Sequence, residues 1–107
     1  MSQYVVRLVH TSDQCPGSNS KIRERMLKGA SEMPKLAQKL GVRFLTGPLV
    51  LGSEHASLAV VEAEKIETVE ELILQSGLAQ WNTVQVCTAK SMEESIKDLE
   101  KSPPPIY

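Results

Sequence analysis

The period at which apolar residues recur switches back and forth between the two of a strand and the 3.6 of a helix, and the order of those switches is the strongest constraint on the fold. Gln3 to His10 (QYVVRLVH) is β-branched and apolar and runs into Thr11-Ser12-Asp13, which predicts a first strand followed by a loop, TSDQCPGSNS. From Ser20, the residues Ile22, Met26, Ala30, Met33, Ala37 and Leu40 recur at helical spacing, and Gly41 supplies the stop. Pro34 interrupts this helix, predicting a kink or a break with Ser31 capping a second segment. Val42 to Leu51 and His55 to Ala63 read as strands two and three, joined by Gly52-Ser53-Glu54 as a hairpin turn. Thr68-Val69-Glu70-Glu71 has the form of a capping box opening a second helix, ELILQSG. Thr83 to Thr88 is strand four. Ser91 and Glu94 repeat the box for an amphipathic helix, SMEESIKDLEK, that the prolines of SPPPIY end in an extended tail.

The order βαββαβ plus a terminal helix predicts an α+β fold of the ferredoxin-like type. Right-handed crossovers place strands one and three in the centre of a four-stranded antiparallel sheet. A chain of 107 residues has room for one core, so residues 1–107 form a single domain: core 3–89, terminal helix 91–101, tail 102–107. Both faces of the central strands are apolar: Tyr4, Val6, Leu8, Ala59 and Val61 on one, Val5, Val9, Leu58 and Val60 on the other. Two helices cover only one face, so the other is expected to pack on a second copy, giving a homodimer.

With 41% hydrophobic and 23% charged residues the chain lies in the globular range, and its net charge of -1 provides no general attraction to nucleic acid or anionic membrane. The start, MSQYVVRLVHT, carries no basic leader ahead of an apolar run, and no apolar stretch approaches the roughly 20 residues of a membrane span. A cytoplasmic location is the expectation. Cys15 in a Pro/Gly loop and Cys87 in a strand are too few and too unlike for a disulfide framework, and Cys87 is expected in the core.

The motifs His10-Thr11-x-x-x-Cys15-Pro16, Glu54-His55 and Ser76-Gly77-Leu78-x-Gln80-Trp81-Asn82, together with the element order over residues 3–89, resemble the dimeric α+β barrel superfamily and small uncharacterised domains within it. That superfamily includes isomerases, monooxygenases, dehydratases and binding proteins. The resemblance therefore implies a fold and a dimer rather than an activity.

In this topology strand one ends where strands three and four begin, which gathers His10, His55, Trp81 and Asn82 at one sheet edge. Directly opposed residues of antiparallel strands have Cβ atoms about 5 Å apart, so His10 and His55 share an ion if they pair. A register that sets Arg7 opposite Glu62 would compensate two charges and move His10 opposite Ala59 instead. Cys15 follows in the loop at the same edge. Two imidazoles and a thiolate suit zinc or copper. Glu54 is a candidate fourth ligand or an orienting partner. Near the start of the first helix, Cys15 is also expected to have its thiol pKa lowered by the helix dipole. Trp81 and Asn82 are candidates to bind a cofactor or wall a small-molecule pocket.

Three functions compete. The first is a metal-binding protein using His10, Cys15 and His55. The second is a cofactor-free enzyme, isomerase- or monooxygenase-like, with a histidine base and Cys15 as nucleophile, acting in a cavity between sheet and helices. The third is a non-catalytic dimeric interaction domain.

Overall fold

The computed structural model describes residues 1–105; the end of the predicted tail, Ile106 and Tyr107, lies outside the described residues. The elements follow the expected order: β1 (Ser2–Val9), α1 (Ser20–Leu40), β2 (Arg43–Leu51), β3 (Ala56–Ala63), α2 (Ile66–Gln75), β4 (Thr83–Ala89) and α3 (Met92–Lys101). The strands form one four-stranded sheet in the order β2-β3-β1-β4, with every neighbouring pair antiparallel. This is the α+β ferredoxin-like arrangement.

The alternation along β1 and β3 decides which face is covered. Tyr4, Val6 and Leu8, with Ala59, Val61 and Ala63, are buried beneath α1 and α2. Their partners in helix packing are Ala37 from α1 and Val69, Leu72 and Ile73 from α2, and Val61 and Val69 are the largest of the fully buried side chains. On the opposite face Val5, Val9, Leu58 and Val60 are only half-buried, and Cys87, which opposes Val5, is exposed. Cys87 is thus not the core residue expected. Its position in β4 puts it on the face without helices.

The helix boundaries differ in instructive ways. Helix α1 runs through Pro34 without a break, and the Ser31 hydroxyl donates to the Lys28 carbonyl (2.8 Å) instead of capping a second segment. Pro34 is exposed, so the Ala30 carbonyl that loses its amide partner is left to solvent. Asn19 caps α1, accepting from the amides of Lys21 and Ile22 at 3.1 Å each, and left-handed Gly41 ends it. Helix α2 begins at Ile66, two positions ahead of the Thr68 box; Lys65 caps it without a side-chain bond. The apolar stripe Ile66, Val69, Leu72, Ile73 needs that extra turn to reach the core, and packing outweighs the cap. At α3 the predicted cap holds, with the Ser91 hydroxyl accepting from the Glu94 amide (3.1 Å).

Two glycines set the spacing of the layers. A Cβ on Gly29 would lie 2.9 Å from the Ser76 carbonyl oxygen, so its absence lets α1 rest against the end of α2. Gly47 has φ +85 and a Cβ there would lie 2.8 Å from the Leu58 oxygen, at the irregular stretch of β2 where its register against β3 shifts. Helix α3 leaves Met92 and Leu99 76% and 71% exposed, and the proline run after it is exposed. Among the described residues no helix is long and apolar enough to cross a membrane.

Candidate metal centre

The register between β1 and β3 pairs Val9 with Ala56, and one residue further the His10 amide donates to the His55 carbonyl at 2.9 Å. The two histidines therefore oppose each other across the ladder, and the Arg7–Glu62 pairing does not form. Arg7 opposes Leu58 and lies 3.6 Å from Glu54, while Glu62 is met by Arg43 of β2 at 3.3 Å. By alternation His10 continues the stripe of Tyr4, Val6 and Leu8, which carries it to the helix-covered face.

His55 does not open strand three as expected. It closes a 3₁₀ turn at Gly52–Glu54 with φ 50 and ψ 47, a left-handed conformation in which His, like Asn and Asp, is found more often than other residues that carry a side chain. The imidazole rings then meet edge to face, with centroids 5.3 Å apart, and the Trp81 ring lies 5.5 Å from that of His10.

Cys15 reaches the pair through the loop after β1. A 3₁₀ turn at Ser12–Gln14 reverses the chain, and the Cys15 carbonyl accepts from the amides of Ser18 (3.0 Å) and Asn19 (2.8 Å), holding the segment in a compact turn. Arg23 reaches back from α1 to the carbonyls of Pro16 and Gly17, at 2.9 Å each. Asn19 occupies the cap of α1, so Cys15 does not sit on the helix amides; its Sγ accepts instead from the Gly17 N–H at 3.4 Å. The placement at the helix start expected for Cys15 is thus not observed.

One ligand atom from each of His10, Cys15 and His55 lies within 4.8 Å of the others. Ligand atoms of a tetrahedral zinc site are roughly 3.3 to 3.6 Å apart, given bonds of about 2.0 Å to nitrogen and 2.3 Å to sulfur. Ligation would require the atoms to converge by at most about 1.2 to 1.5 Å. His10 Nε2 and His55 Nδ1 are buried with no hydrogen-bond partner among the described residues. Two adjacent orphaned nitrogens are unusual, because buried polar atoms are nearly always paired. Burial holds the His10 pKa below 6.5; charge on His55 acts in the same direction and the Asn82 side chain against it. The neutral imidazole that a metal needs is the favoured form.

Glu54 is not drawn into this group. Its carboxylate is engaged with Arg7, away from the converging imidazoles. Asn82 is anchored by donation to the Leu78 carbonyl (3.0 Å) and lines, with Trp81, the recess of about 170 Å³ that holds the cluster. That recess also takes in Met26, Val50 and Ser57, none of which stood out in the sequence. Ser57 had a signal: it is the one hydroxyl in the stripe His55, Ser57, Ala59, Val61 that otherwise faces the core. No family model matches the sequence, and no curated protein matches it.

Proposed function

We propose that this protein binds one transition-metal ion, zinc or copper, through His10, Cys15 and His55. The observation that carries the reading is the pair of buried, unpartnered imidazole nitrogens beside a thiol. An isolated pair of this kind is costly to bury, at about 1–3 kcal/mol per unmet group, and a cation satisfies both at once. Three protein ligands leave a fourth position for water or another molecule, which is the composition of metal sites that do more than brace a fold. A site that depends on a free thiolate works best where thiols stay reduced, in keeping with a cytoplasmic setting. Elemental analysis of untagged protein, with zinc and copper titrated into the chelator-stripped form, is the test. One ion per chain is expected; no metal recovered and none bound would leave the histidines as structural residues.

The same reading extends to assembly. Val5, Leu58 and Val60 on the uncovered face, with the exposed apolar residues of α3, favour a homodimer of the dimeric α+β barrel kind. Sedimentation at micromolar concentration is expected to give twice the chain mass, and a stable monomer would remove the claim.

A further inference from the structure

Beneath α1 and against the sheet lies an apolar cleft of about 500 Å³, within the range of small-molecule sites. Its floor is Val6, Ala59 and Val61, and its walls include Met33 of α1 and Phe44 of β2. Helix α1 buries Ile22, Gly29 and Ala37 and packs Met33, Leu36 and Leu40 against the core, and Met26, Ala30 and Met33 line the cleft on its helix side. Met26, Val50, Ser57 and Trp81 line both this cleft and the recess around the cluster. The two spaces are therefore neighbours with a shared wall of side chains, and His10 and His55, whose orphaned nitrogens are buried, line the smaller of the two.

We infer that the cleft takes an amphiphilic small molecule whose single heteroatom donor fills the fourth position on the metal and whose apolar body lies under α1. This inference builds on the metal reading. Water or an ion would satisfy the metal equally well but would leave the cleft unused. A purely apolar molecule would fill the cleft without using the open position, and the lining residues that the two spaces share favour one molecule that does both.

The experiment uses cobalt(II), whose visible spectrum reports its ligands, and N-alkylimidazoles, which offer one donor nitrogen on an apolar tail of chosen length. Cobalt alone is titrated first. N-methyl-, N-butyl- and N-octylimidazole are then titrated into the loaded protein. The octyl compound is expected to shift the spectrum at a concentration more than about a hundredfold below the methyl one, since each buried methylene raises affinity roughly fourfold. N-octylpyrrole, which lacks the donor, is expected to leave the spectrum unchanged. Ala30→Trp on the exposed rim of the cleft should reduce the octyl advantage below tenfold without altering cobalt affinity. Pro34→Trp, at a second exposed position that lines the cleft and not the recess around the cluster, is the companion variant should the first not fold.

Equal potency of the three imidazoles, or an octyl advantage that survives a filled cleft, would overturn the inference while the metal reading stands. Failure of cobalt to bind at all would overturn both.

Discussion

On the face covered by α1 and α2, Tyr4, Val6, Leu8, Ala59 and Val61 are buried, and their stripe runs out to His10 and His55. On the other face, Val5, Val9, Leu58 and Val60 are half-buried and end at no comparable cluster, with Cys87 exposed among them. The strands supply both faces with similar aliphatic residues. What differs is the cover: helices packed on the sheet leave a cleft beside the recess that holds the cluster, whereas a bare face offers only area. Burial of polar ligands needs the first, and association of copies needs the second.

The largest effect should come from placing a charge on the bare face. Val60→Asp is expected to raise the dimer dissociation constant by a factor on the order of a hundred to a few thousand, from an unpaired buried charge worth about 3–5 kcal/mol, with metal content unchanged. Sedimentation beside metal analysis checks this, and loss of metal together with the dimer would mean that the faces are not independent. Next is the thiol pair. Cys15→Ser is expected to weaken zinc binding by about a hundredfold or more, beyond the 10- to 100-fold that loss of an outer partner costs, while Cys87→Ser has no effect in competition with a chromophoric chelator. Equal effects would erase the contrast between the two positions.

How much of this was legible in the chain is shown by the register. Alternation in β1 and β3, Gly41 and the Ser91 cap were readable because each is a local rule. The meeting of His10 and His55 was not, because the competing pairing of Arg7 with Glu62 looked electrostatically better. The structure removes that advantage by finding each charge another partner, Glu54 for Arg7 and Arg43 for Glu62. Both partners lie outside the β1–β3 pair, beyond any two-strand comparison. A cavity between sheet and helices was expected from the fold, but its lining was not readable, because it rests on packing between elements distant in the chain, such as Gly29 of α1 against the Ser76 carbonyl. Cys87 was misplaced because a short strand of mixed residues does not declare which of its faces is covered.

A smaller effect separates ligation from folding on the covered face. His55→Gly should relieve the left-handed backbone and raise the melting stability of the metal-free protein by about 1 kcal/mol while removing a ligand. A variant less stable than the parent would show that the imidazole contributes packing as well.

The smallest is a pH dependence confined to the histidine-bearing face, since both histidines of the chain are in the cluster. The folded pKa of His10 is lowered, so below pH 6.5 the unfolded chain takes up a proton that the folded one resists. Stability of the metal-free protein should therefore fall as pH drops through 6.5 and level off below the folded value. Bound metal should steepen the curve, because ligation keeps the imidazoles and the thiolate free of protons that the unfolded chain takes up. Chemical denaturation at a series of pH values checks both, and a stability that rises on acidification would contradict the burial of His10.

The single hydrogen bond from the His10 amide to the His55 carbonyl also orders events in time. Two of the three ligands sit at the end of the β1–β3 ladder, joined by that bond, whereas the third rides on the loop from Thr11 to Asn19. Capture would then begin at the imidazoles and finish when the thiolate swings in, and release would start with the thiolate. The exchange rate of the ion is in that case set by the turn at Ser12–Gln14 and the grip of Arg23 upon it, and substitutions there would change how long a metal stays with little change in how the domain folds.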